Sequence, residues 1–554
     1  MKKSSFILIT LLISTLATYA QKPIIQKSPS FEEPELGWNK IMQLSNGNTF
    51  FFHFTKKHGE GIQLKVYDKS RKLISSKNIE GQLWDAEKMK RLQIEGLYEI
   101  KGQPVLFFQQ MVDLQPTLYR VVFDPQTGAV LKEDKLGDLM EYSPFAGYSM
   151  AMGNVPGNNA YVEKDPYSDC YAAVYFNGQA PKGDPNIEVV HYDGDHNEIN
   201  RAKFTALDGK FKYLRYMAMT VQGDKDVVIS LYAFNTRGDK DSRIVLAELK
   251  KGEKEFASNV LDFSEDFAET KGTMQFNPNT GLVQMLSLTK TNSKYSMFSG
   301  RTTISYLPII TYFDPATLKV AGVKVITGTK VSDYMTTKLD RDGYTGLPQN
   351  MIVNNDKTTT ILMEEMAQVK TTSHTGATMS EKTELDNIGI SVLNDTGGEK
   401  NGYAILKSQS ADGLIPNMYL AEKGKGYWSY TRPSWGMHLY PEENNSFLSF
   451  DYLNTDKANY ILFNDYPVNF DKDENKKRKR VQTISGTNTI VYKLMPDGTM
   501  TKYYLFGDHE DDDKSTFSYI ESSSFDKTTK TYATLIVERE KRDKKARIAW
   551  VTVE

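Results

Sequence analysis

Seven times along this chain an apolar β-type run stops at an aromatic or aliphatic residue, turns through a short polar stretch and restarts as a second β-type run. The first is Val66-Tyr67-Asp68-Lys69 with Leu73-Ile74 after it, and the next is Val122-Phe123-Asp124-Pro125 with Val130-Leu131 after it. The pattern returns at His191-Tyr192-Asp193-Gly194, Leu249-Lys250-Lys251-Gly252, Tyr312-Phe313-Asp314-Pro315, Leu393-Asn394-Asp395 and Leu494-Met495-Pro496-Asp497-Gly498. Asp, Asn, Gly and Pro are the residues a tight antiparallel turn requires. Hairpins of one kind, repeated this often, restrict the chain to one supersecondary unit repeated around or along an axis.

Between these markers the sequence is β-type throughout. Thr49–Phe54, Pro104–Phe108, Val227–Tyr232, Thr360–Met363, Asn459–Phe463 and Tyr532–Val537 are short runs rich in β-branched and aromatic residues, which suits buried strands. No sustained 3.6-residue apolar stripe appears, and Leu83–Leu92 is the best helical segment. Each marker fits the last hairpin of a four-strand unit A-B-C-D. In the fourth unit, strand A falls near Tyr213–Met219, B at Val227–Tyr232, C at Arg243–Leu249 and D near Phe256–Val260. The markers, at 67, 123, 192, 249, 313, 393 and 495, stand further apart than the about 40 to 50 residues of a bare propeller repeat. The units therefore carry insertions. An eighth unit, Phe517–Ser522, Tyr532–Val537 and Arg547–Val553, ends one strand short, and Pro23–Lys27 is placed to supply the missing outer strand and close the ring. The expected fold is all-β: one β-propeller of four-stranded antiparallel blades, eight preferred over seven, with paired β-sandwich domains as the structural alternative.

The first twenty residues read as a targeting segment. Lys2 and Lys3 precede an apolar stretch, Phe6–Leu16, and Thr18-Tyr19-Ala20 places small residues before a cut that leaves Gln21 first. The domain expectation is thus a signal peptide, 1–20, and a propeller, 21–554. A periplasmic or extracellular location follows, without a lipoprotein anchor because no Cys lies near the cut. No later run of about 18 apolar residues suggests a membrane span. A net charge of −2 gives no electrostatic footprint for nucleic acid. Cys170 is the only cysteine, so no intramolecular disulfide forms. Its strand-like surroundings, Tyr171–Tyr175, suit a buried inert thiol.

The insertions are distributed unevenly. The A–B turns look tight (Ser45–Asn48, Asn277–Thr280, Asn354–Lys357), as do the C–D turns. The long segments are B–C connections (Thr291–Thr302, Ala367–Asp386, Asp465–Ser485) and D–A connections (Gly137–Asp169, Gly328–Gln349, Ser408–Met437). In an up-and-down blade the two classes lie on opposite ends. One face is therefore bare and one elaborated, and the elaborated face is expected to be the working one.

Three segments carry candidate binding chemistry. Trp428, Tyr430, Arg432 and Trp435, in a D–A connection, offer flat apolar faces with polar edges, suited to sugars or peptides. Lys476, Lys477, Arg478, Lys479 and Arg480, after an acidic stretch in a B–C insertion, could draw an anionic glycan, headgroup or protein; a solvated loop is the structural reading. Asp511, Asp512 and Asp513 raise Ca²⁺ as a weak possibility, though contiguous carboxylates do not all face one ion. Asp193-Gly194-Asp195-His196-Asn197 begins like a calcium loop, but Glu198 and Phe204 stand where its Gly and Glu belong. Catalytic signatures are missing: no His-Glu-x-x-His, Gly-x-Ser-x-Gly or Gly-x-x-x-x-Gly-Lys occurs. The acid pairs Glu364-Glu365 and Glu442-Glu443 are adjacent on expected strand ends, where side chains diverge.

The segment ending Ala20-Gln21, the Lys/Asn/Tyr-rich composition, the degenerate hairpins and Phe463-Asn464-Asp465-Tyr466-Pro467-Val468-Asn469 together resemble secreted β-propeller proteins of the Bacteroidota. The resemblance implies a periplasmic or surface location and carries over no functional residue. Trp-Asp occurs once, at Trp84-Asp85, and does not recur as WD40 punctuation, and the Ser-x-Asp-x-Gly-x-Thr-Trp box of sialidases is missing. The leading expectation is a non-catalytic binding protein of the cell envelope that holds a protein partner on its loop-rich face. The alternatives are glycan binding through the Tyr427–Trp435 loop and a carbohydrate-active enzyme with carboxylates in the central channel. No cofactor is assigned.

Overall fold

A computed structural model describes residues 23–34, 37–55, 61–79, 81–83, 92–142, 157–178, 180, 184–205, 209–235, 241–265, 267–296, 301–372, 378–413, 415–423, 449–472, 476–507 and 514–554. The chain forms eight four-stranded antiparallel blades in a ring, an eight-bladed β-propeller. All seven hairpin markers are C–D turns, one in each of blades 1 to 7. In six of the seven an Asp or Asn side chain accepts from the turn's own backbone; the fourth, Leu249-Lys250-Lys251-Gly252, has none. Asp68 Oδ1 takes Ser70 N and Lys72 N, Asp193 Oδ1 takes Asp195 N and Asn197 N, and Asn394 Oδ1 takes Thr396 N and Gly398 N. These self-capped turns explain why the punctuation recurs. Gly128 ends one of them at φ +68°, and a Cβ there would stand 2.5 Å from Leu64 Cδ2 of the neighbouring blade.

The fourth blade is Tyr213–Gln222, Asp226–Phe234, Arg243–Lys250 and Ala257–Leu261, close to the expected strands. The ring closes as expected too. The eighth blade contributes Lys514–Asp526, Thr531–Glu540 and Asp543–Thr552, and Ile24–Lys27 pairs antiparallel with the last of these, Ile24 opposite Thr552. Eight apolar clusters fill the eight blade interfaces. In each blade, alternate side chains of the central strands point to opposite neighbours: Val227 and Ile229 toward blade 3, Val228 toward blade 5.

The elaborated face differs in kind from the expected loops. Thr291–Thr302 and Ala367–Asp386 are largely strand. Blade 5 extends its B–C hairpin over Leu282–Ser296 and Arg301–Phe313, and blade 6 over Thr359–Thr372 and Thr378–Leu393. The two hairpins pair side by side, Arg301 with Val369 and Thr302 with Gln368, and merge both blades into one nine-stranded sheet. The Thr-rich tracts at their ends favour continued pairing over a loop. Gly137–Asp169 likewise contains strand A of blade 3, Asn158–Lys164. Gly328–Gln349 contains the helix Thr329–Lys338, which the sequence pattern did not reveal. Of the expected Leu83–Leu92 helix, residues 84–91 lie outside the described residues, and Leu92 begins strand A of blade 2.

Candidate functional site

Strand A of each blade lies innermost, and contacts between A strands run from blade 8 to 1 and successively from 2 to 6. The channel they surround collects polar groups of a kind rarely buried. Blade 2 supplies Glu95, which is fully buried and accepts from Gln93, whose Nε2 also donates to Asn159 Oδ1 of blade 3 at 2.9 Å. Tyr98 donates to the Val162 carbonyl at 3.0 Å and to Glu163 Oε2 at 3.4 Å. Tyr161 and Tyr216 stack with centroids 3.9 Å apart. Blade 7 supplies Asp451, and blade 8 supplies Glu521 and Ser523, all buried.

The D–A connection after blade 6 enters this channel. It pairs first with the blade 6 hairpin through Gln409–Asp412, then turns across strand A of blade 6. There Met418 N donates to Gln349 Oε1 and Ala421 N to the Gln349 carbonyl, at 2.8 and 3.1 Å. Asn417 lies beside Tyr306 of blade 5. Lys423 pairs with Asp451 of blade 7 and donates to Ser523 Oγ of blade 8 at 3.2 Å. Tyr216, on blade 4, is held well above the usual tyrosine pKa by burial and by nearby negative charge that includes Glu422. Residues 415–423 thus form a plug segment that runs from strand A of blade 6 to groups of blades 7 and 8.

The plug is fastened by a buried ionic cluster. Lys407 Nζ meets Glu364 Oε1 at 2.6 Å, with both side chains fully buried. It also donates to the Leu385 carbonyl at 2.9 Å and Gln409 Oε1 at 3.2 Å. Tyr419 and Ser449 donate to the two oxygens of the same carboxylate. Burial lowers the Lys407 pKa and Glu364 opposes that shift. The adjacent Glu365 turns away, accepting from Thr345 N at 3.1 Å and Asn387 Nδ2 at 2.7 Å. The two acids diverge as strand geometry requires.

One amine in the channel is chemically distinctive. Lys40, on strand A of blade 1, stays partly accessible yet is enclosed by the channel wall. That enclosure first, and then the neighbouring Lys423 charge, lower its pKa to about 8, against the opposing pull of Asp451 and Glu521. An amine poised near neutrality can bind an anion when protonated or act as a base when not. Sequence reasoning missed Lys40, Asp451, Glu95 and Glu521, because nothing local distinguishes an inward polar residue on strand A from a solvated one.

Among the sequence candidates, Trp428, Tyr430, Arg432 and Trp435 lie outside the described residues, as do Asp511, Asp512, Asp513 and the Glu442-Glu443 pair. The basic run follows the short helix Pro467–Phe470 of blade 7, and much of it makes internal contacts. Arg480 pairs with Glu384 and Asp386 of blade 6. Arg478 Nη1 donates to the Asn469 carbonyl at 2.6 Å, and Lys479 Nζ sits 4.5 Å from the Tyr466 ring centroid. The Lys476 carbonyl accepts from Arg341 at 2.7 Å, while Lys476 and Lys477 are exposed. Among the described residues no three His, Cys, Asp or Glu side chains come together as a metal site. Cys170 is buried and unpaired by disulfide, and burial raises its thiol pKa.

A cleft lies on the bare face, between blades 6 and 7, with a volume of about 410 Å³. It is formed by the A–B turns of both blades, strand D of blade 6 and the C–D turn of blade 7.

No family model matches the sequence, and no curated protein does. Solved structures with a similar fold include the dipeptidyl peptidase 4 of Porphyromonas gingivalis, at 10% identity and a TM-score of 0.41, covering 91% of this chain and 59% of that one. Prolyl oligopeptidase B from Galerina marginata is 8% identical with a TM-score of 0.39, covering 96% and 57%. The polysaccharide lyase Uly1 is 11% identical with a TM-score of 0.37, covering 83% and 90%. The chain therefore spans little more than half of the two peptidases.

Proposed function

We propose that this protein is a secreted, non-catalytic binding protein that holds a protein partner on its elaborated face. The observation that carries this reading is the plug. The Asp451 carboxylate is engaged by Lys423, Ser523 and Tyr532, so internal partners already occupy it. The same face bears the paired hairpins of blades 5 and 6, which extend past the ring strands and provide a raised platform. The secreted location rests on the Lys2–Ala20 leader and on the resemblance to envelope propellers of the Bacteroidota.

The test shortens both hairpins to tight turns, removing residues 292–303 and 368–382. The variant and the parent are then compared by crosslinked pull-down from the producing cell's envelope. A stoichiometric partner retained by the parent and lost by the variant supports the reading. A partner set unchanged by the deletion refutes it. Glycan binding through Trp428, Tyr430 and Trp435 is the second reading, motivated by their aromatic density; tryptophan fluorescence that does not change across a polysaccharide panel counts against it.

A further inference from the structure

We infer that the cleft between blades 6 and 7 on the bare face is a second binding site, for a neutral oligosaccharide. Its volume, about 410 Å³, falls in the range of small-ligand sites, roughly 300 to 1,000 Å³. Five of its lining residues are asparagines: Asn354, Asn355, Asn401, Asn454 and Asn459. The exposed amides of Asn355 and Asn401 carry both donors and an acceptor, the complement of vicinal hydroxyls, which also donate and accept. Two aspartates, Asp356 and Asp456, and one lysine, Lys400, line the same cleft, a net negative lining that disfavours a polyanionic ligand.

The floor is rigid before any ligand arrives. Asn454 Nδ2 donates to Asn354 Oδ1 at 2.6 Å, and Asn354 Nδ2 donates to Thr358 Oγ1 and Thr360 Oγ1, each at 2.9 Å. Asp356 is tied to Thr358 through both backbone and hydroxyl, at 3.1 and 2.5 Å, and these bonds help hold its carboxyl below the usual range. Fixed polar partners reduce the ordering cost of binding. Beside them, Tyr403, Met495 and Pro496 line the cleft with apolar surface, suited to the C–H face of a sugar ring. This pairing of exposed amides with adjacent apolar lining points to a saccharide rather than a peptide, whose side chains would need deeper apolar pockets.

The experiment is saturation-transfer NMR on the protein with maltotriose, cellotriose, xylotriose, mannotriose and chitotriose, and with trigalacturonate as the anionic control. Asn355 and Asn401 are exposed, so N355A/N401A leaves the core untouched. The inference expects transfer to at least one neutral trisaccharide and a tenfold or greater weakening in N355A/N401A. No transfer to any neutral trisaccharide, an affinity unchanged in the double variant, or preference for trigalacturonate would each overturn it.

Discussion

The indole Nε1 of Trp550 donates to Thr49 Oγ1 at 3.0 Å, across the seam where the last blade meets the first. Tyr67 meets the Trp550 ring edge-on at 5.3 Å, and only 1% of Trp550 is exposed. The seam joins distant ends of the chain, so its packing stabilises the whole ring. Trp550→Ala is expected to cost about 3 to 5 kcal/mol, and Trp550→Phe, which keeps most of the burial but leaves Thr49 without this donor, about 1 to 3 kcal/mol. Urea unfolding measures both; an alanine variant as stable as the parent would rule out this role.

The pair Glu364–Lys407 fastens the plug at the cost of burying two charges. Glu364→Gln leaves the Lys407 ammonium without its counter-charge and is expected to destabilise by about 3 to 5 kcal/mol. Replacing both, as Glu364→Leu with Lys407→Met, should recover most of that loss. Thermal unfolding of the two variants decides the matter: a double variant no better than the single one would mean the cluster acts through shape, not charge balance.

Asp226 is pushed up to about 6 by burial, opposed by Lys225 and Lys250, and its Oδ1 is buried without a hydrogen-bond partner. Its folded pKa exceeds its unfolded value, so the folded state binds the proton more tightly. The stability linked to that proton is fully present below the unfolded pKa, near 4, and is lost as pH rises through about 6. Asp226→Asn should therefore gain stability over the parent at neutral pH, with the gain shrinking as pH falls from 6 toward 4. Denaturant unfolding at pH 4.5 and 7.5 gives the comparison, and a gain independent of pH would contradict the assignment.

Lys40 should be the most reactive channel amine near pH 8. Reductive ¹³C-methylation followed by NMR titration reads its pKa directly. Lys423→Met, which removes a neighbouring positive charge, should raise that pKa, and Asp451→Asn should lower it. Shifts in the opposite directions would show that the three groups are not arranged as described.

The fold was far more legible than the site. Turns such as Tyr67-Asp68 and Phe123-Asp124 are local chemistry, and local chemistry is written in adjacent residues. Even the closing strand, Ile24–Lys27, was inferable because the eighth unit lacks a partner. The site is different: Lys40, Asp451 and Ser523 come from three blades, and only ring closure brings them together. The basic run shows the converse. Its charge was obvious, but Arg480 serves to tie blade 7 to blade 6. The Phe463–Asn469 segment, too, turns out to hold a seam, with Asn464 bonded to the Ser518 carbonyl of blade 8 at 2.7 Å.

The closing strand also constrains the order of folding. Lys27 meets Glu538 at 2.8 Å across 511 positions of chain. Contacts so remote in sequence carry a large loop-closure cost and form late. Until the last blade exists, the first blade has no neighbour on one face, and the open ring presents a bare apolar sheet face at each end. The first strand must wait, unpaired, for nearly the entire chain to appear. For this molecule assembly is all-or-none at its last step, and the growing ring is most prone to misassociate just before it closes.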